Sequence, residues 1–181
     1  MTETRSADTS SFPTIPGYAI TEQLYAGSRT LVYRGVQANP QRPVVIKVLR
    51  QAYPSFSELV QFRNQYTITK NLNIPGIVRP LSLEPYENGY ALVMADDGSI
   101  SLQQYAQHQS LNLTMVLEIG RQLAAILHQL HHNRVIHKDI KPANILINPV
   151  SQQVQLIDFS IASLLPKESQ EIQNPNLLEG T

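Results

Sequence analysis

The stretch Val135–Leu146 reads VIHKDIKPANIL, and Leu156–Ser160 further along reads LIDFS. The first stretch places an aspartate, a lysine and an asparagine on one short loop between apolar runs, and the second adds another aspartate. Phosphoryl transfer from a nucleotide uses such a set of groups. One carboxylate orients the attacking hydroxyl, a cation steadies the moving phosphoryl group, and an amide and a second carboxylate hold magnesium. The two stretches therefore predict a phosphoryl-transfer site.

Both stretches resemble the catalytic loop and the Asp-Phe-Gly metal loop of protein kinases. The resemblance implies that Asp139 is the catalytic base and that Lys141 contacts the transferred phosphoryl group. It also implies that Asn144 and Asp158 hold Mg2+ against the phosphates of ATP. His137 is expected to do structural work, by packing and hydrogen-bonding near the Asp-Phe turn.

A candidate ATP-binding lysine lies upstream in Val44–Lys47, VVIK, which is similar to the Val-Ala-Ile-Lys strand of the family. The resemblance implies that Lys47 binds the α- and β-phosphates and pairs with a glutamate on the following helix. Counting along that helix places Gln65 at the glutamate's position. The alternative partner, Glu58, lies seven residues earlier, about two helical turns away. A neutral amide is expected to anchor Lys47 less firmly than an ion pair would.

The loop that would cover the phosphates keeps only one of the family's three glycines. Tyr25–Val32 reads YAGSRTLV, whereas the family pattern is Gly-x-Gly-x-x-Gly-x-Val. Glycine suits this loop because backbone amides must approach phosphates without a Cβ in the way. Gly27 is therefore the expected loop contact to ATP, and Val32 is expected to cap the adenine.

By the same resemblance, Met94 is the gatekeeper and Ala95–Gly98 is the hinge. The hinge backbone would pair with the adenine edge, through Ala95 and Asp97.

Two further positions depart from the family pattern. Lys138 replaces the loop arginine that pairs with an activation-loop phosphate, and lysine lacks the planar bidentate fork of arginine. Ser160 replaces the glycine after Asp-Phe, and its Cβ narrows the backbone flips of that turn. Neither change removes a phosphate or metal ligand.

The chain is expected to have an α+β, protein-kinase-like fold. A complete N-lobe, with a five-stranded antiparallel sheet and one helix, would span 17–94, and the hinge would span 95–98. The first half of a helical C-lobe, ending in the activation segment, would span 99–181, while residues 1–16 form a polar leader that we expect to be disordered. The predicted elements are strands Gly17–Tyr25, Thr30–Gln37 and Pro43–Leu49, helix Ser55–Leu72, strands Arg79–Leu83 and Tyr90–Met94, helices Ser101–Gln107 and Asn112–His132, and a hairpin of Ile145–Ile147 and Val154–Ile157.

Four segments look like large bacterial multi-sensor kinases, in which sensor and histidine-kinase modules follow a Ser/Thr-kinase-like domain. They are Ile15–Tyr18, Gly27–Gly35, Phe62–Tyr66 and Ile157–Ala162. The end of the chain resembles the Gly-Thr just before the family's Ala-Pro-Glu region, so we expect a truncated domain that is inactive by itself. Its longest helix would then leave an apolar stripe in water, namely Val116, Ile119, Leu123, Ile126, Leu127 and Leu130.

Composition excludes several classes of function. The chain has 181 residues, 42% of them hydrophobic, which is typical of a globular domain. Its 14 basic and 14 acidic residues cancel, which argues against nucleic-acid or membrane-surface binding driven by bulk charge. The absence of cysteine excludes disulfides and thiolate metal sites. No run approaches the ~18 apolar residues of a membrane span, and no signal peptide is recognisable, so the expected location is the cytoplasm.

The expected function is transfer of the γ-phosphoryl group of ATP, with Mg2+, to Ser or Thr hydroxyls of a protein substrate. The alternative is a pseudokinase, a nucleotide-binding signalling module coupled to a histidine kinase. Gln65 and Ser160 favour this alternative, whereas the intact phosphate and metal ligands favour the enzyme. A small-molecule kinase is a third interpretation, opposed by Lys141 and Pro142, which stand as they do in protein kinases.

Overall fold

A five-stranded antiparallel sheet forms the first lobe of the computed structural model, which describes residues 12–166. The central strand is β3, because its β-branched run buries Val44, Ile46 and Val48 almost completely. The spatial order is β1-β2-β3-β5-β4, and every neighbouring pair is antiparallel. The strands are β1 (Tyr18–Ala26), β2 (Thr30–Gln37), β3 (Arg42–Leu49), β4 (Pro80–Tyr86) and β5 (Gly89–Ala95).

Helix α1 (Phe56–Lys70) connects the sheet to the second lobe. It begins with a capping box, in which the Ser55 hydroxyl accepts from the Glu58 amide and the Glu58 carboxylate accepts from the Ser55 amide. Phe62 packs under the sheet with Leu92 and Met94. At the other end of the helix, Ile68 and Leu72 join the core of the second lobe. The helix is therefore packed on both lobes.

The second lobe is mainly helical, with two small sheets. Its longest helix is capped by Asn112, whose side-chain oxygen accepts from the Met115 amide at 2.9 Å. One sheet has the order β6-β8-β9, and the other pairs β7 with β10. The elements are β6 (Ile100–Ser101), α2 (Leu102–His108), α3 (Leu113–His132), β7 (Val135–Ile136), a 3-10 turn (Pro142–Asn144), β8 (Ile145–Ile147), β9 (Val154–Leu156) and β10 (Ser163–Leu164). Within residues 12–166, we find no helix with the length and apolar character needed to cross a membrane.

The fold is α+β, as the sequence predicts, but the expectation of a disordered leader over residues 1–16 is wrong for residues 12–16. Ile15 is only 3% exposed and packs with the core of the sheet, and its carbonyl accepts from the Tyr18 amide at 3.1 Å. The Phe12 ring meets the Tyr33 ring edge-on at a centroid distance of 6.4 Å. These two apolar side chains anchor the segment because burying them removes apolar surface from water. Residues 1–11 lie outside the described part of the chain.

The expectation of an uncovered stripe on α3 is wrong for half of its members. Ile119, Ile126 and Leu130 are buried in the core of the second lobe, where the small sheets and the connection before β4 cover them. Leu123 and Leu127 pack against the same core and are partly buried. Val116 is the member that is exposed. The residues described here therefore already supply much of the cover that the helix needs.

Gly76 lies where the connection between α1 and β4 crosses the second lobe, and we expect Gly76→Ala to destabilise the fold. Its φ is +85°, its carbonyl accepts from the Leu156 amide at 2.7 Å, and a Cβ there would overlap the buried Ile126 side chain. The positive φ alone costs an alanine about 1–2 kcal/mol, and overpacking of a core adds about 1–3 kcal/mol. Urea denaturation of the variant measures the sum.

Gly17→Ala is the matched control for this experiment. Gly17 has a φ of +83°, but a Cβ there would meet nothing within 4 Å. Gly17→Ala should therefore lower the free energy of unfolding only by the cost of the positive φ. Equal losses at Gly17 and Gly76 would show that the Ile126 side chain moves aside without cost.

Candidate functional site

The loop between β7 and β8 gathers three of the predicted site residues into one hydrogen-bonded group. The Lys141 ammonium donates to Oδ2 of Asp139 at 2.7 Å, and this hydrogen bond raises the pKa of Lys141. The side-chain nitrogen of Asn144 donates to the Asp139 backbone carbonyl at 2.9 Å and to Oδ2 at 2.8 Å. Because both partners are acceptors, the Asn144 amide turns its nitrogen toward Asp139 and keeps its oxygen for another ligand.

The hairpin of β8 and β9 brings Asp158 beside this loop. Ile145 lies opposite Leu156, and the Ile157 amide donates to the Asn144 carbonyl at 3.0 Å, so Asp158 follows directly. Asp158 has a φ of +65°, a left-handed conformation that aspartate tolerates better than most residues. An amide oxygen and a carboxylate are ligands that Mg2+ prefers, so the donor set fits this ion.

His137 holds the two parts of the site together from beneath. It is 2% exposed, its Nε2 donates to the Ile157 carbonyl at 2.9 Å, and its Nδ1 accepts from the Asp139 amide at 3.2 Å. The Phe159 ring packs edge-on against it at 4.6 Å between centroids. These contacts fix a neutral imidazole, and burial lowers its pKa more than the Ile157 hydrogen bond and nearby carboxylates raise it. His137 thus positions Asp139 and the turn at Asp158.

The structure brings Lys47 of β3 together with Gln65 of α1 and with Asp158. The Lys47 ammonium donates to Oε1 of Gln65 at 2.9 Å and to Oδ1 of Asp158 at 3.0 Å. Burial is the largest influence on the pKa of Asp158 and would raise it, but Lys47 and Ser160 together lower it below its usual value. Glu58, the alternative partner, is occupied in the helix cap, where its hydrogen bonds to Ser55 lower its pKa.

A hydrogen bond that the sequence did not indicate joins α1 to the chain beyond Asp158. The side-chain nitrogen of Asn64 donates to the Ala162 carbonyl at 3.0 Å, across 98 residues of sequence. Asn64 is the neighbour of Gln65, so the same turn of the helix holds both Lys47 and this segment. No local pattern points to such a contact, because its partner is a backbone carbonyl far along the chain.

A cavity of about 440 Å3 opens above these groups, between the β1–β2 loop, α1 and the loop that connects β7 to β8. Arg50, which directly follows β3, braces the β1–β2 loop. Its amide donates to the Arg29 carbonyl at 2.8 Å, and its side chain donates to the Gly27 carbonyl at 2.9 Å. No local sequence pattern indicates this brace, because both acceptors are backbone carbonyls. The polar and charged lining consists of Tyr25, Ser28, Arg29, Thr30, Lys47, Glu58, Gln61, Asp139, Lys141, Asp158 and Ser160.

The residues predicted to hold the adenine do not line this cavity. Val32 lies opposite Lys47 in the pairing of β2 with β3, and Ala95 ends β5 three residues beyond Leu92, the partner of Lys47 on the other side. At about 3.4 Å per residue, Ala95 therefore lies about 10 Å along the sheet from Lys47. Gly27 is likewise outside the lining. The cavity thus corresponds to the phosphate end of the predicted site.

The hinge is held by side-chain hydrogen bonds that the sequence analysis did not foresee. Asp96 pairs with Arg34 of β2 at 2.6 Å, and its Oδ1 accepts from the Gly98 amide at 2.9 Å. The Asp97 carboxylate accepts from the Ser99 amide and from Gln155 of β9, each at 3.0 Å. These carboxylates fix the turn, whereas the Asp97 amide donates to no group in the described chain and could meet a ligand through its backbone.

Comparison with known proteins gives a consistent set of similarities. A family model described as "Protein kinase domain" matches residues 18–180. Serine/threonine-protein kinase PrkC of Bacillus subtilis (strain 168) is 30% identical over 150 residues, 82% of this chain and 23% of that protein. Probable serine/threonine-protein kinase YbdM of the same organism is 30% identical over 161 residues, 86% of this chain and 62% of that protein.

A more distant organism supplies a similar protein. Serine/threonine-protein kinase D3 of Mus musculus is 29% identical over 153 residues, 82% of this chain and 17% of that protein. The chain therefore spans less than two thirds of the length of each of these relatives.

We expect the free energy of unfolding of His137→Gln to fall less steeply on acidification than that of the wild type. Burial lowers the pKa of His137, so the unfolded chain takes up a proton here at a higher pH than the folded chain does. The contribution of His137 to the free energy of unfolding is fully present above its unfolded pKa of about 6.5 and is lost as the pH falls below it. Urea denaturation at several pH values from about 7.5 down to about 5 measures this slope.

The control is His132→Gln, which changes an exposed histidine on α3. It should leave the pH dependence of the wild type in place. If His137→Gln also keeps that dependence, the buried imidazole does not control acid stability in this range.

Proposed function

The chain belongs to the protein kinase family, and we propose that it is a Ser/Thr kinase domain that transfers the γ-phosphoryl group of Mg-ATP to a protein hydroxyl in signal transduction. The observation that carries the proposal is the group formed by Asp139, Lys141 and Asn144 at a cavity that also holds Lys47 and Asp158. Phosphoryl transfer uses carboxylates and ammonium groups of this kind, and their presence together supports the proposal.

Asp139 is arranged to act on the substrate hydroxyl. Its Oδ2 accepts from both Lys141 and Asn144, which fixes the plane of the carboxylate. Its Oδ1 accepts no hydrogen bond in the described chain, so this oxygen is available to orient the hydroxyl and receive its proton. Lys141 lies beside it and would stabilise negative charge on the phosphoryl group as it moves.

Two sets of groups would hold the nucleotide. Mg2+, when bound, bridges phosphate oxygens and neutralises their charge, and the side-chain oxygens of Asn144 and Asp158 would hold it. Lys47 would bind the α- and β-phosphates, while its ammonium continues to donate one hydrogen bond to Gln65. Val32 and the backbone of Ala95 and Asp97 remain the proposed contacts to the rest of ATP. Gly27 remains the proposed loop contact, by packing rather than through its amide, which donates to the Thr30 carbonyl.

The finer identity of the substrate and setting also belongs to this proposal. Several relatives are named serine/threonine-protein kinases, and the lysine two residues after Asp139 supports Ser or Thr as the acceptor. We further propose a cytoplasmic location, with sensor and histidine-kinase modules as partners in a full-length parent.

A pseudokinase that binds nucleotide and relays a signal to a histidine kinase is the second candidate. The contact between Lys47 and the neutral Gln65 favours it, because a glutamate would hold the ammonium with a full charge. The Tyr25 ring also packs against Gly27, on the side where a Cβ would point. Transfer of phosphate to a protein separates this candidate from the enzyme.

Mg-ATP is expected to raise the melting temperature of the protein, because a ligand that binds only the folded state stabilises it. Asp158→Ala should abolish the part of the increase that depends on magnesium, since it removes a ligand of the ion. Asp139→Asn should keep the increase and lose phosphate transfer. Absence of any ATP-dependent increase in the wild type would reject nucleotide binding altogether.

Gln65→Glu is expected to increase turnover at saturating ATP by about fivefold, which corresponds to ~1 kcal/mol in the barrier. The physical reason is that a carboxylate at this position forms an ion pair with Lys47, which now has a neutral acceptor at 2.9 Å. Phosphate incorporation into a generic protein substrate by the full-length parent measures the rate, because we expect the present chain to be inactive by itself.

Thr67→Glu adds the same charge to an exposed position of α1, away from Lys47, and should leave the rate unchanged. A rate in Gln65→Glu that equals or falls below that of the wild type would count against a weakened lysine anchor.

A further inference from the structure

We propose that Arg29, at the tip of the β1–β2 loop, binds the terminal phosphates of the nucleotide through its side chain. A guanidinium then makes the phosphate contacts that backbone amides make where the loop is rich in glycine. The inference rests on the proposed nucleotide-binding function and assigns one further binding residue to it.

The first observation is where Arg29 lies and what it leaves unbound. It lines the cavity that holds Lys47 and Lys141, and its guanidinium makes no hydrogen bond or ion pair with any residue in the described part of the chain. Glu58 is the acid near it. The hydrogen bonds from Ser55 chiefly lower the pKa of Glu58, with a smaller effect of Arg29, and no ion pair forms between Arg29 and Glu58. The guanidinium is therefore available to a ligand.

The second observation is that Gly27, the glycine of this loop, already has partners for its backbone groups. The Gly27 amide donates to the Thr30 carbonyl at 2.9 Å, and Arg50 occupies the carbonyls of Gly27 and Arg29. The Tyr25 ring packs against the open side of Gly27. The one glycine that the loop keeps thus has its amide in use, while the same braces hold the base of Arg29 at the cavity.

The third observation concerns the charge of the cavity. Three cations face three carboxylates across it, and without Arg29 the carboxylates would outnumber the cations. Arg29 brings the lining to balance, and a polyphosphate binds less well where carboxylates are in excess. A guanidinium also offers paired donors that match two phosphate oxygens, which an isolated amide cannot do. The six groups are Arg29, Lys47, Lys141, Glu58, Asp139 and Asp158.

Titration calorimetry with two nucleotides, Mg-ATP and Mg-ADP, and with the nucleoside adenosine tests the proposal, each with the wild type and with Arg29→Gln. Loss of a charge-assisted phosphate contact should weaken Mg-ATP binding by about tenfold or more. The loss should be smaller for Mg-ADP and absent for adenosine. Arg29→Lys, which keeps the charge but not the fork, should recover part of the ATP affinity.

Arg63→Gln is the matched control, because Arg63 lies on α1 outside the cavity, with its guanidinium 5.9 Å from the centroid of the Tyr90 ring. It removes the same charge and should change ATP affinity by less than about twofold, as expected for a screened, distant charge.

The outcomes separate this inference from the function on which it rests. If the wild type binds Mg-ATP and Arg29→Gln binds it as tightly as Arg63→Gln does, Arg29 is not a phosphate ligand and the proposed function stands. An equal loss for adenosine and ATP would also overturn the assignment, because it would indicate a general change in the loop. If the wild type binds no nucleotide, both proposals fail together.

Discussion

The structure is organised around one buried ammonium group, that of Lys47. Its side chain is 10% exposed, and a buried charge is tolerated only where partners replace the water it has lost. Gln65 and Asp158 supply those partners from α1 and from the turn after β9. The central strand, the connecting helix and the turn at Asp158 must therefore meet at one point. His137 and Asn64 hold the same turn from two other sides.

Because Gln65 is neutral, Lys47 depends on Asp158 for its ion pair. Asp158 is the single carboxylate that pairs with Lys47 in the described chain, since Gln65 carries no charge. A magnesium ion that draws on Asp158 would weaken this pair, and the negative charge of the phosphates would have to replace it at Lys47. If the proposed function holds, binding of metal and of nucleotide would be coupled through Lys47, more tightly than where a glutamate keeps the lysine paired throughout.

Much of this arrangement could be predicted from local sequence. The Lys47 strand, the catalytic loop and the turn at Asp158 carry dense motifs, and Gln65 could be found by counting because a helix fixes the register of its residues. What the sequence did not show depends on distant partners. Ile15 is buried only because the sheet lies beneath it, and Asn64 and Arg50 bond to backbone carbonyls, which have no sequence signature. The adenine-side residues stay predictions, because the cavity shows only the phosphate end.

Two features of the phosphate end, Gln65 in place of a glutamate and Arg29 of the β1–β2 loop, both make the charge there more positive. Side chains in place of loop glycines hinder the close approach of backbone amides to phosphates, whereas Arg29 adds a full positive charge and Gln65 omits a negative one. Gln65 can therefore be read as part of a different charge balance rather than as a damaged glutamate. On this view a carboxylate at position 65 anchors Lys47 but also repels the phosphates. Faster turnover in Gln65→Glu should then come with weaker binding of ATP, and this cost should be larger once Arg29 is replaced, because no guanidinium remains to offset the added charge.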